Sequence, residues 1–570
     1  MKKVRFLFFA VAAMLPLMAC AGRGKVLKID FKNPIQERIV GGSSIDIMSI
    51  VKGSANPVTL ISYVNAIDAA AQDKNISMIY MTPDDISAGM GQIEEIRAAL
   101  ERFRKSGKPV VSYSRMLGNG SYYLASVADK VILDPASESL VNGISTQMIF
   151  LKDILDVLHV DMQLIRHGKY KSAGEMYTRS SSSPENRLQN QELIGSIWNG
   201  MTAQIAQSRG FTQEQLEEWV ENLDLCHASD FKEKGLVDET WYRDEVEKYL
   251  CEQNGARNLS EVPFVKINKY ASKVKKGSRK NRIAVVYADG EIKEDGGDAD
   301  IVGTKLAGIL RKVREDKKVK AVVFRVNSPG GSAQAAEAIR HEIQLLRAEK
   351  PVIVSFGDYA ASGGYWISAE SDRIFTDNST ITGSIGVFGL IPSLGDAASK
   401  VLKVNIETVG TSSHSDMMSG MRRLDDAEVE YMQKQIEKIY DDFTGLVSNG
   451  RGITKDSVDA IGQGRVWSGV DAMRIGLADC NGGLYDAIEY AAGKAGLGKM
   501  DYRINQYPEA REVSLLQMLS GSTPEDPDEN LMTSVETQVS LEDMFPAIAR
   551  MRDISSPTVM VRMENLMEIK

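Results

Sequence analysis

The sequence predicts an α/β protein of two tandem domains, each built on a mostly parallel sheet with flanking helices. Three observations carry this expectation. The chain has 570 residues, too many for one ordinary hydrophobic core. It contains an internal repeat. Within each copy, short β-branched runs alternate with amphipathic helical stretches.

The repeat is visible by direct comparison. ISMIYMTPDDISAGMGQIEEIRAALERFRKSGKPVVSY from Ile76 parallels VKAVVFRVNSPGGSAQAAEAIRHEIQLLRAEKPVIVSF from Val319. GNGSYYLASVADKVILDP from Gly118 parallels ASGGYWISAESDRIFTDN from Ala361, and FKEKGLVD from Phe231 parallels AMRIGLAD from Ala472. Val322–Val326 reads as a buried parallel strand, and Ala336, Ile339, Ile343 and Leu346 recur at helical spacing. Val352–Phe356 is the next strand, so the connection is a right-handed crossover.

These patterns divide the chain into an export segment (1–20), a first domain (45–250), a linker (251–281), a second domain (282–500) and a C-terminal extension (501–570). The linker ends in KVKKGSRKNR, a solvated basic stretch or a contact for anionic lipid head groups. In the first segment, Lys2, Lys3 and Arg5 precede an apolar run from Phe6 to Leu17, shorter than the ~20 residues that span a bilayer. Three fates are open for it. Leu17-Met18-Ala19-Cys20 resembles a lipoprotein box that would lipidate Cys20, Ala19-Cys20-Ala21 fits a signal-peptidase site, and the run could stay as a short anchor. Each places the bulk of the chain outside the cytoplasm.

Composition excludes some functions. The net charge of −9 opposes general nucleic-acid binding. Cys226, Cys251 and Cys480 show no metal-ligand spacing, and the five histidines form no metal-binding motif, so neither metal nor cofactor is expected.

Chemistry concentrates where the copies differ. After the strand at Val352–Phe356 comes Ala361-Ser362-Gly363-Gly364, a serine among small residues at the start of a helix. Small neighbours permit a sharp turn, and a helix N-terminus favours developing negative charge. The first copy has Asn119 at this position. Asn327-Ser328-Pro329-Gly330-Gly331-Ser332 offers backbone N–H groups to a cleft, and the N–H groups of Gly331 and Gly363 are the candidate oxyanion hole. A serine nucleophile needs a base. His341 and His414 lie in unpromising contexts, whereas Gly168-Lys169-Tyr170-Lys171-Ser172-Ala173 in the first copy offers a lysine. A lysine ordinarily titrates near ~10.4, and burial in a dry cleft lowers that value.

GKYKSA, NSPGGS, ASGGYWIS and TGSIGVFG together resemble the signal peptide peptidase A family, over about residues 45 to 500. The resemblance implies a fold related to the Clp protease proteolytic subunit and the crotonases, in a long form with two tandem halves. It implies Ser362 as nucleophile, Lys171 as general base and Ser384 as the residue that holds the lysine. It further implies a membrane-associated endopeptidase of the bacterial envelope, acting on signal peptides and other apolar peptides, with its catalytic part in the periplasm and a homotetrameric assembly. The dyad would be split, Lys171 from one half and Ser362 from the other. Two other readings compete, a crotonase-like acyl-CoA enzyme and a non-catalytic ring-forming scaffold. The export segment and Ser362 oppose the first, and the intact Ser–Lys pair opposes the second.

Overall fold

The computed structural model describes residues 24–39, 58–84, 86–274, 277, 278, 280–297, 299–509 and 559–562. The expected export segment with Cys20 and most of the expected C-terminal extension lie outside the described residues. Among those described, no helix is long and apolar enough to cross a membrane.

The first half contributes β1 (Lys25–Ile29), β2 (Ile76–Met81), β3 (Val110–Ser114), β4 (Lys130–Leu133), β5 (Asp161–His167), β6 (Glu239–Thr240) and β7 (Phe264–Lys266). All but β5 form one parallel sheet in the order β6-β4-β3-β2-β1-β7. The central strands are buried along nearly their whole length, as strands covered on both faces must be. The helices Leu60–Gln72 and Met90–Arg104 press Ile67, Ile93, Ile96 and Leu100 onto one face. Val246 and Leu250 of the helix Arg243–Asn254 cover the other.

The second half contributes β8 (Asn281–Asp289), β9 (Ile292–Lys293), β10 (Ile301–Val302), β11 (Val319–Ser328), β12 (Gly330–Ser332), β13 (Val352–Ala361), β14 (Arg373–Thr376), β15 (Ile381–Gly383), β16 (Val387–Ser393), β17 (Val466–Ser468), β18 (Cys480–Asn481) and β19 (Tyr502–Tyr507). Its main sheet repeats the first: β18-β14-β13-β11-β8-β19 has the same order and the same parallel sense. The expected pair of tandem α/β domains is what the chain builds.

The boundaries differ from those read off the sequence. β1 lies before residue 45 yet sits inside the first sheet. β7 lies within the stretch expected to be a linker, and β19 within the expected extension. Both are edge strands paired on one side only, most of their positions are only partly buried, and their sequences, FVK and YRINQY, carry little apolar signal. The three cysteines of the described residues are free, Cys226 exposed and Cys251 buried.

A third sheet joins the halves. Its order is β10-β9-β12-β20-β16-β5, where β20 is Val559–Arg562. β5 from the first half runs antiparallel to β16 over seven residue pairs, from Val387 opposite His167 to Ser393 opposite Asp161.

A second junction is polar and buried. The Arg325 guanidinium, fully buried on β11, pairs with Glu37 at 2.9 Å and with Glu95 of the Met90–Arg104 helix at 2.7 Å. From that helix Glu94 accepts the N–H groups of Asn378 and Ser379, and Glu95 accepts that of Leu484. Burial pushes the carboxyls of Glu94 and Glu95 up to about 7, against the pull of Arg325 on Glu95 and the N–H donors on Glu94. Such groups favour the folded state while protonated, and that contribution is lost as pH rises through the raised value. Arg325→Met removes the counter-charge. We expect it to destabilise the chain by about 3–5 kcal/mol, with the deficit against wild type widening as pH rises through about 7. Denaturant unfolding at pH 6 and pH 8 checks both the size and the direction.

Candidate active site

Ser362 follows β13 directly, at the entry to the short helix Gly363–Trp366. Its backbone has φ 56°, a left-handed conformation that non-glycine residues seldom adopt. Two hydrogen bonds hold it there: its N–H donates to the Gly383 carbonyl at 2.8 Å, and its own carbonyl accepts the Trp366 N–H at 2.9 Å. The turn is pressed against β11. A Cβ on Gly364 would lie 2.7 Å from the Ser328 carbonyl oxygen, so glycine is required there. The Gly363 N–H, in the first helical turn, has no intrahelical acceptor. Gly331 has φ 151° and passes so close to β9 that a Cβ would lie 1.9 Å from the Ile292 carbonyl oxygen. Both candidate oxyanion donors therefore sit in regular elements rather than free loops, Gly331 within β12 and Gly363 at the start of its helix.

Lys171 comes from the other half. The β5–β16 ladder delivers the chain to Gly168, whose φ of 105° turns it into the second domain. There the Tyr170 N–H donates to the Gln463 carbonyl at 2.9 Å. The Gln189 side-chain amide donates to the Tyr170 carbonyl and to Ser172 Oγ, both at 3.0 Å. Arg166 donates to the Lys171 carbonyl at 2.7 Å and pairs with Glu175 at 3.3 Å. Burial opposes ionisation of Glu175, yet the Ser183 and Asn186 donors and Arg166 hold its carboxyl below the usual range, so it stays charged.

The three expected side chains meet. Lys171 Nζ lies 2.8 Å from Ser362 Oγ and 2.9 Å from Ser384 Oγ, with the Ser384 carbonyl oxygen at 3.3 Å. Lys171 is 1% exposed, Ser362 0% and Ser384 2%. The Phe388 ring centroid lies 5.9 Å from the amine. Enclosure of this kind disfavours an ammonium and favours a neutral amine, the form that accepts a proton. Ser384, at φ 51°, is anchored by its N–H to the Arg465 carbonyl at 2.7 Å. A buried amine between two hydroxyls, one of them at a helix entry beside glycine N–H groups, is equipped for acyl transfer.

Residues 102–257 and 344–498 each match Peptidase family S49. The chain belongs to that family. It is 36% identical over 476 residues to Protease 4 of Salmonella typhi, covering 81% of this chain and 76% of that one. To the chloroplastic serine protease SPPA of Arabidopsis thaliana it is 34% identical over 466 residues, covering 80% of this chain and 67% of the other. Among solved structures, a point mutant of ClpP1 from Listeria monocytogenes matches 36% of this chain and 94% of its own, with 15% identity and a TM-score of 0.25. This S49 chain is a serine peptidase of the long, two-half form.

Sequence reasoning missed the supports: Gln189, the Arg166–Glu175 pair, and the Gly462-Gln463-Gly464-Arg465 loop of the second half. The glycine pair in that loop was the available signal. Gly464 has φ 79°, and a Cβ there would lie 2.5 Å from Lys171 Cβ. Gly464→Ala therefore displaces the Lys171 side chain without changing its chemistry. We expect kcat to fall about 10²-fold while far-UV circular dichroism is unchanged; steady-state kinetics on purified protein tests this.

Proposed function

We propose that this peptidase is a membrane-associated endopeptidase that degrades cleaved signal peptides and other apolar peptides, with Ser362 as nucleophile and Lys171 as base. The observation that carries the reading is the 2.8 Å approach of Lys171 Nζ to Ser362 Oγ in a site closed to water. Neutral Lys171 takes the Ser362 proton as Oγ attacks the peptide carbonyl, and the N–H groups of Gly331 and Gly363 receive the oxyanion. Lys171 then passes the proton to the departing amine. A water deprotonated by the same amine hydrolyses the acyl-enzyme, returning Ser362 its proton. Ser384 keeps the amine aimed, the third role in such constellations. The basic and apolar start of the chain supports envelope attachment, with the catalytic part in the periplasm, either through Cys20 or a retained segment.

Because the base must be neutral to act, kcat/KM rises with pH between 6 and 10. Lys171→Ala should lose activity by at least about 10²- to 10⁴-fold while remaining folded. An apolar fluorogenic peptide provides the assay. Retention of most activity in the variant would place the base elsewhere.

We further propose that copies of the chain join in a closed ring, a tetramer by family resemblance. The repeat supplies the support. A shift of 243 residues, which aligns Gly118 with Ala361, carries β5 onto residues 404–410 and β16 onto residues 144–150. β5 and β16 pair within the chain, but their counterparts form no strand here. Val404, Ile406 and Val409 are 50%, 51% and 94% exposed, and Ile149 is 64% exposed. Pairing 404–410 of one copy with 144–150 of the next would repeat the intrachain ladder between chains, a head-to-tail contact that closes by rotation. The double variant Ile406→Asp, Val409→Asp should then elute as monomer in size exclusion with light scattering, where wild type is oligomeric.

A further inference from the structure

Lys171 and the serine that holds it are both tied to one short loop, Gly462-Gln463-Gly464-Arg465. The Gln463 carbonyl receives the N–H of Tyr170, the residue before Lys171, at 2.9 Å. The Gly464 N–H donates to the Ile385 carbonyl at 2.7 Å, and the Arg465 carbonyl receives the Ser384 N–H at 2.7 Å. The loop is packed without slack. A Cβ on Gly168 would lie 2.5 Å from the Gln463 carbonyl oxygen, and one on Gly386 would lie 2.7 Å from Gly464 Cα. A small shift of these four residues therefore moves Lys171 and Ser384 together.

The loop is fixed by a side chain that the proposed mechanism does not use. Tyr440 is buried on the helix Asp426–Arg451. Its hydroxyl donates to Asp459 Oδ1 at 2.6 Å and accepts the Gln463 N–H at 3.3 Å. The Gln463 side-chain amide donates to the same carboxylate oxygen at 2.5 Å. Gln463 needs such restraint, because its φ of 55° is left-handed and it is not a glycine. On the other side His167, the last residue of β5, stacks on the Tyr440 ring with centroids 3.7 Å apart. The His167 Nδ1 lies 2.8 Å from Glu437. One aromatic side chain thus touches both the ladder that delivers Lys171 and the loop that receives it. Burial and the Asp459 contact push the phenol's ionisation far above its usual range, so the hydroxyl keeps its proton between pH 6 and 10.

The repeat supplies an internal comparison. The helix Pro184–Arg209 of the first half and the helix Asp426–Arg451 are both 26 residues long, and they run out alike, in RGFT and RGIT. Matching them puts Trp198 opposite Tyr440. The copy without the nucleophile has no hydroxyl at this position.

We infer that Tyr440, together with Asp459, is a positioning residue of the peptidase. It holds the Gln463 peptide, and so sets where Lys171 Nζ and Ser384 Oγ stand relative to Ser362. The inference rests on the peptidase reading above, in which Lys171 is the base, and adds what keeps that base in place.

Tyr440→Phe removes the hydroxyl and keeps the ring, with its stack on His167. Asp459→Ala removes the acceptor. These two, their double variant and Lys171→Ala are compared with wild type, all as full-length chains. Turnover of an apolar fluorogenic peptide is followed from pH 6 to 10, with thermal unfolding of each protein alongside. We expect Tyr440→Phe to lower kcat about tenfold while KM stays nearly unchanged. Its rising limb in pH should move to higher pH, because a less closely held amine is better hydrated and less readily neutral. The double variant should lose no more than Tyr440→Phe alone, since the two side chains act as a unit. A residue that only packs would lower the unfolding temperature and leave kcat and the limb in place. That result, or losses that multiply in the double variant, overturns the inference. An inactive Lys171→Ala beside a fully active Tyr440→Phe sinks the positioning role alone. A Lys171→Ala that keeps its activity sinks the base reading, and the inference with it.

Discussion

The Lys171 amine, proposed here to act in its neutral form, is almost fully buried, and that enclosure exists only between two domains. Lys171 lies on a turn of the first half, but its surroundings are Ser362, Ser384, Gly464 and Phe388 of the second. The dryness that favours the neutral amine is a property of the docked pair, not of either half. This explains how much of the structure is spent on docking: the β5–β16 ladder beside the site and the Arg325 cluster behind it. The polar junction adds directional matching, since the acids of the Met90–Arg104 helix meet N–H groups of residues 378, 379 and 484, and a slipped register would leave those carboxyls buried without donors.

Duplication makes such an arrangement accessible. Two copies of one fold have the same edges, so a contact between copies already exists before the sequences diverge. Under the 243-residue shift the counterpart of Ser362 is Asn119, and that of Lys171 is His414. Asn119 has taken up a local role, its amide donating to the Gly143 carbonyl at 2.9 Å. His414 sits half exposed beside Glu428, with Nδ1 3.0 Å from a carboxylate oxygen. Neither position retains the chemistry. In the proposed ring, therefore, junctions within a chain carry the dyad and junctions between chains are silent, so the number of working sites equals the number of chains.

Much of this was legible in the sequence, for definable reasons. The buried central strands and the helices between them are long and strongly patterned, and the repeat doubled each signal. Ser362, Lys171 and Ser384 were reachable because short motifs carry them. What escaped were features set by distant partners. Edge strands β7 and β19 show a half-polar face and read as linker and tail. Gln189 lies on a helix Pro184–Arg209 whose pattern is that of an ordinary surface helix, and nothing local says that its amide reaches the Lys171 turn. Gly464 is one glycine among 48, and only the approach of Lys171 distinguishes it. The seating of β20 between β12 and β16 joins residues more than 160 positions apart, beyond any periodicity argument.

The repeat also offers an internal control on strain. Ser362 and Ser384 both hold positive φ, at 56° and 51°, each costing about 1–3 kcal/mol. Glycine would relieve both, as it does at Gly383 with φ 78°. Their counterparts Asn119 and Val141 are not among the positive-φ residues of the described chain, although the surrounding sheet order is the same. The fold therefore does not impose the left-handed turns. They persist only in the copy where a hydroxyl must face the buried amine, and they relax where that hydroxyl has been lost. Strain that the matched positions of the other domain lack, at the two serines within 3 Å of Lys171 Nζ, belongs to the geometry of the site rather than to the shared scaffold.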